Sequence, residues 1–98
     1  MAMESKKDVD RALKEIELLN RLYNQFFSGA EDEPPREKRR DLDVLMQSIK
    51  SAVATATNAS AKFAANSAIA KYHTHTAKWD KQMKMLEQGL FVRPPKRK

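Results

Sequence analysis

Residues 70–89 read AKYHTHTAKWDKQMKMLEQG, and this stretch decides the fold class. At about 100° per residue, Ile69, Tyr72, Thr76, Trp79, Met83 and Leu86 fall on one face of a helix, spaced 3, 4, 3, 4 and 3. That is the seam of a helix packed against other helices. Lys71, Lys78, Lys81 and Lys84 take the opposite side. Such a seam needs partners, and the rest of the chain supplies them.

Upstream, Val9, Ala12, Ile16, Leu19, Tyr23 and Phe26 repeat the same spacing, and Leu13, Leu22 and Phe27 widen the stripe toward more than one neighbour. The pattern predicts a first helix over 5–28, with Ser5 as N-cap and Asp8 as a weak capping-box partner. Gly29 fits the left-handed position that closes the last turn. The linker GAEDEPP (29–35) then breaks the chain. Pro35 suits the first turn of a second helix, whose positive end Glu31, Asp32 and Glu33 complement. A second stripe runs through Leu42, Leu45, Ile49, Ala52 and Ala56, with Met46 and Val53 alongside. The run REKRRD (36–41) reads as a solvated first turn and a half, not as a binding motif.

Residues 51–61, SAVATATNASA, are ambiguous. Thr, Asn and Ser favour caps and turns, but no Gly or Pro forces a break. In one reading Thr57 or Asn58 caps a separate third helix. In the other, residues 35–88 form one helix of roughly 80 Å that needs a dimer partner. A turn near 54–59 lets all three stripes share one core, so the expected fold is all-α. It is a three-helix antiparallel bundle or helical hairpin, with helices near 5–28, 35–55 and 59–88. The alternative is an elongated coiled-coil dimer with residues 35–88 as one helix. Phe63 lies off the stripe and is expected to plug the turn; the other option is an exposed contact. Gly89 ends the third helix, and Leu90, Phe91 and Val92 fold back over the bundle end. Residues 1–92 thus read as a single helical domain and 93–98, RPPKRK, as a disordered basic tail.

Ninety-eight residues leave little room for a deep cavity. The absence of cysteine excludes disulfides, thiolate metal sites and a cysteine nucleophile. No apolar run approaches the roughly 18 residues of a membrane span, and MAMESKKDVD is too charged for a signal peptide. The expectation is a soluble, cytoplasmic protein. Its net charge of +6 is unevenly spread. Residues 1–43 carry nine basic and eleven acidic side chains, whereas residues 44–98 carry ten basic and two acidic. The excess marks a candidate surface for a partner or for nucleic acid: Lys71, Lys78, Lys81, Lys84, Arg93, Lys96, Arg97 and Lys98.

Groups suited to chemistry do not converge. His73 and His75 are two residues apart, about 200° on a helix, so one borders the core and the other is solvated. Asp41 and Asp43 diverge for the same reason. The Glu31–Glu33 cluster lacks the alternating oxygen ligands of a calcium loop. Asp80 has the spacing for an ion pair with Lys84. No catalytic, cofactor-binding or metal-binding residue is assigned, and an enzyme is not expected.

Four pieces resemble a small all-helical domain of deltaproteobacterial and myxobacterial regulatory proteins. They are LYNQFFSG (22–29), PPREKRRDLDVLM (34–46), NASAKF (58–63) and AKYHTHTAKWDKQMKMLEQGLF (70–91). The resemblance implies aromatic core residues at Tyr23, Phe26, Phe27, Phe63, Tyr72 and Trp79, and a helix start at Asn58. It implies no activity. The Ala-rich stretch 51–70 departs from the longer, more basic residues of the family pattern, which weakens a nucleic-acid role there. The expected function is a non-enzymatic helical protein-interaction module, an adaptor or regulatory subunit in bacterial regulation. Its partner is another protein or a second copy, without membrane association. The alternative is weak, non-specific nucleic-acid binding by the basic half.

Overall fold

The computed structural model describes residues 5–95. It contains three helices, α1 (Ser5–Phe27), α2 (Arg36–Thr55) and α3 (Ala59–Glu87). Every pair of helices is in contact, so the chain folds as an all-α three-helix bundle. α2 runs antiparallel to both neighbours, and the molecule measures 51 × 25 × 18 Å. The expected N-cap role of Ser5 falls on a side chain outside the described ones.

The ambiguous stretch is a turn. Ala56 (φ −71°, ψ 140°) and Asn58 (φ −82°, ψ 120°) are both extended, conformations any residue adopts without glycine. Asn58 Oδ1 accepts from the Ala61 backbone N–H at 3.2 Å, which satisfies one orphan donor of α3. The single rod is thereby excluded. At the other break, Pro35 is the N-cap of α2 and not its first helical residue, and its carbonyl oxygen accepts from the Arg39 N–H at 3.0 Å.

Both glycines close helices as Schellman stops. Gly29 (φ +86°) donates to Phe26 O at 3.1 Å and Ala30 to Gln25 O at 2.9 Å. Gly89 (φ +73°) and Leu90 repeat the arrangement on Leu86 O and Met85 O at 3.2 and 2.9 Å.

The core follows the stripe on α1 closely and the one on α3 in part, where Ile69, Tyr72, Met83 and Leu86 are partly buried against it. Val9, Ala12, Ile16, Leu19, Tyr23, Phe26 and Phe27 are buried on α1, and Ala65, Ala68, Thr76 and Trp79 on α3. Thr76 is tolerated there because its hydroxyl donates to its own helix at His73 O, 3.3 Å away. On α2 the seam is turned slightly from its expected line. Leu42, Met46 and Ile49 are buried, while Leu45 and Val53 flank them.

After Gly89 the chain alternates inward and outward. Phe91 packs against Phe27 at a centroid distance of 5.9 Å, whereas Leu90 (70% exposed) and Val92 (80%) face solvent. Only Phe91 of the expected fold-back therefore covers the bundle end. Arg93, expected in a free tail, is held. Its guanidinium lies 4.1 Å over the Phe26 ring, its Nε donates to Phe26 O at 2.7 Å, and Nη2 donates to Glu31 O. α1 has no basic residue in its own last turn, so Arg93 brings the cation that complements its negative end. Lys96, Arg97 and Lys98 lie outside the described residues.

The two glycines differ in one respect. A Cβ at Gly89 would meet nothing, but at Gly29 it would collide with the carbonyl oxygen of Pro94. Both alanine variants carry the left-handed cost of about 1–2 kcal/mol. Gly29→Ala is expected to cost more, because it must also displace the Arg93–Pro94 segment. Urea denaturation of the two variants makes the comparison; equal losses would mean that this segment contributes nothing.

Candidate functional site

Trp79 is fully buried in the C-terminal half of α3 and stacks on Tyr23 of α1, centroids 4.7 Å apart and planes 19° apart. Its indole N–H donates to Asn20 Oδ1 at 3.2 Å, and Lys78 Nζ donates to the same oxygen at 2.7 Å. Arg39 of α2 covers the stack, its guanidinium carbon 5.9 Å from the Trp79 ring centroid. That guanidinium reaches all three helices. Nη1 and Nη2 form a fork on the Asp80 carboxylate at 2.9 and 3.2 Å, Nε donates to Asp43 Oδ1 at 3.1 Å, and Nη1 approaches Tyr23 Oη at 3.4 Å. Tyr72 Oη donates to the same Asp43 oxygen at 2.6 Å. Burial opposes the charge on Arg39, but its bonds to Asp80, Tyr23 and Asp43 outweigh that and hold it protonated more firmly than usual. Burial, then the Asp43 carboxylate, push the Tyr72 hydroxyl up to about 12.

This cluster is structural, and it corrects two expectations. Asp80 does not pair with Lys84; it turns to α2, where Arg39 offers a bidentate fork that a lysine lacks. The run REKRRD is not uniformly solvated, because Arg39 points into the groove between α2 and α3. The signal lies in the Arg39–Asp43 spacing of four, combined with a seam tyrosine that needs a partner for its hydroxyl.

The candidate lysines lie along α3, and of them Lys78 and Lys81 border one groove. Lys71, Lys81 and Lys84 are exposed, and none has an ion-pair partner among the described residues. Lys78 is tied to Asn20, and Arg93 is committed to the end of α1. His75 sits against Trp79 at 5.8 Å, with Nδ1 2.9 Å from Lys71 O, while His73 is exposed beside Tyr72. Among the described residues, no three His, Asp or Glu side chains come together as a metal set. No described helix is long and apolar enough to cross a membrane.

Phe63 is the largest departure. It does not plug the turn; it is 75% exposed. Because α3 already begins at Ala59, Phe63 lies a full turn inside the helix, on the side away from the buried Ala65 and Ala68. Ser67, Ala70, Thr74 and Ala77 continue from it along the outer face, all exposed and uncharged. The same face ends at a groove of about 310 Å³ lined by Lys78, Lys81, Gln82, Met85 and Phe91. A larger hollow, about 490 Å³, separates the starts of α1 and α3.

The chain matches no known family model, no curated protein and no solved structure.

The Tyr72–Asp43 bond has a pH signature. A hydroxyl whose folded pKa lies above its ordinary value near 10 stabilises the fold fully below pH 10, and that contribution is lost as pH rises through about 12. Tyr72→Phe is expected to cost roughly 1–2 kcal/mol at neutral pH. It should also flatten the decline in stability between pH 10 and 12. Urea midpoints across that window, with phenolate absorbance followed in parallel, test both statements.

Proposed function

We propose that the protein is a non-enzymatic helical interaction module, an adaptor or regulatory subunit, that binds another protein through the outer face of α3. The observation that carries this reading is Phe63, a large aromatic left 75% exposed in a bundle that buries its other α-helical aromatics wholly or in part. An isolated exposed apolar residue is ordinary, but this one opens an uncharged strip that ends in an apolar groove. Interfaces favour aromatic side chains and methionine at their centre, and both kinds stand on this face. The bacterial, regulatory setting of such a module is part of this proposal and rests on the sequence resemblance to myxobacterial and deltaproteobacterial helical domains alone.

A nucleic-acid role has a narrower footing. Lys71, Lys81 and Lys84 are exposed, but α3 contains no arginine to read base edges, and the lysines border an uncharged strip. Joint replacement of Lys71, Lys78, Lys81 and Lys84 by glutamine should leave the fold intact. Any duplex DNA binding should be of order 10⁻⁴ to 10⁻⁶ M and non-specific, and its salt slope should shrink by about 0.9 for each phosphate that a replaced lysine had neutralised.

The decisive experiment places a photo-crosslinking side chain at position 63, with position 37 on α2 as control, in cells that express the protein. A discrete protein adduct from 63 but not from 37 is expected. Phe63→Glu should remove the interaction while changing stability by no more than about 0.5 kcal/mol, as exposed substitutions do. Indistinguishable adducts from the two positions would remove the basis for this reading.

A further inference from the structure

We infer that the outer face of α3 receives an acidic amphipathic helix from a different protein, laid along the line from Phe63 to Met85. This rests on the interaction-module reading above and adds the chemistry of the partner.

The geometry of the line comes first. Phe63, Ser67, Ala70, Thr74, Ala77, Lys81 and Lys84 are spaced 4, 3, 4, 3, 4 and 3. They form the outer line of α3, on the side opposite the face built into the core, and Phe63, Ala70 and Ala77 are its apolar members. α3 therefore carries an inner seam that the bundle uses and an outer one, defined by spacing and not by apolar content, that stays exposed. The outer seam has an apolar anchor at each end. Phe63 projects at one end, and the groove between Met85 and Phe91 lies at the other. Between them the small side chains leave room for larger ones from a partner. From residue 63 to residue 85 the rise is roughly 33 Å, the length of a partner helix of about 20 residues.

Charge then selects the occupant. Lys71 and Lys78 border the seam on one side, and Lys81 and Lys84 stand at its C-terminal end. The acid beside them, Asp80, is turned toward α2 and engaged by Arg39. The face thus has an apolar anchor at each end, small uncharged side chains between them, and positive charge along one flank and at its C-terminal end. A second copy of this chain fits it badly. An antiparallel pair of α3 helices sets the Lys71 and Lys78 flank against its own copy, and a parallel pair in register stacks Lys81 and Lys84 on themselves. Duplex nucleic acid would satisfy the lysines but leave Phe63 and the Met85 groove without apolar contact. A helix with an apolar seam and Asp or Glu beside it satisfies both features. Opposite charges at flanking positions are what fix partner choice between packed helices.

The test uses the full-length protein with photo-crosslinking side chains at positions 63 and 85, in cells that express it, with the crosslinked segment sequenced. The expected segment belongs to a different protein, has helical periodicity and carries net negative charge. Two charge variants accompany it. Lys71→Glu with Lys81→Glu and Lys84→Glu should reduce the crosslinking yield at least tenfold. The corresponding triple arginine variant should keep it within about twofold, and circular dichroism should show both folded. A captured segment that is neutral, basic, from a second copy of this chain or from nucleic acid would overturn the inference. So would a yield that charge reversal leaves unchanged. If a different protein is captured at 63 but ignores the charge reversal, the interaction module stands and the acidic helix falls. If nothing is captured at 63, both fall together.

Discussion

The bundle is organised by one fully buried side chain and the cation that covers it. Trp79 has nearly all of its surface removed from water, the largest single apolar burial available to this chain. An indole in that position needs a partner for its N–H, and Asn20 provides it from α1. Tyr23 lies flat against the ring, also from α1, and Arg39 approaches from α2. Arg39 in turn binds carboxylates on α2 and α3 and meets the Tyr23 hydroxyl. The rotation of each helix about its own axis is thereby fixed by directional contacts, which apolar stripes alone do not do. A three-residue connection between α2 and α3 suffices because the register is set here and not in the turn.

Most of the fold was legible because helix packing is periodic. The stripe on α1 became its buried set, the stripe on α3 supplied Thr76 and Trp79 with four partly buried neighbours, and Gly29, Asn58 and Gly89 took the terminal roles that their chemistry favours. What was not legible depends on azimuth and on distant segments. REKRRD offers three arginines, and only the crossing of α2 over α3 decides that Arg39 enters the groove while Arg36 and Arg40 stay in water. Arg93 is remote in sequence from the carbonyls it caps, so no local pattern announces it. The position of Phe63 depends on where α3 starts, which the run SAVATATNASA leaves open. Once Asn58 is the N-cap, residue 63 falls on the outer face by geometry alone. The candidate surface was readable in its lysines, but the exposure of Phe63 beside them was not.

Charge is distributed in a way that separates the two ends of α3. At the C-terminal end, Arg93 and the exposed acids of the α1–α2 loop lie close together, since Arg93 reaches the Glu31 carbonyl. Positive and negative side chains thus meet at that end of the bundle, and the local field is mixed. A purely electrostatic role, toward phosphates or an anionic lipid surface, gains little from such a field. A role that combines apolar contact with charge at its border depends less on long-range attraction, which salt screens within about 10 Å.

The division of labour on α3 follows from this. Its inner face holds the aromatic and aliphatic side chains that stabilise the bundle, and its outer face holds side chains whose replacement leaves the core untouched. Substitutions on exposed helix positions far from caps and buried networks change stability by only tenths of a kcal/mol. The outer face is therefore free to be shaped by what it contacts, while Trp79, Tyr23 and Arg39 hold the helix still. An aromatic kept there brings no folding benefit that a polar residue would not match. A rigid helix with one face committed to the core loses little conformational entropy when a second helix docks on the other, and that preorganisation favours binding.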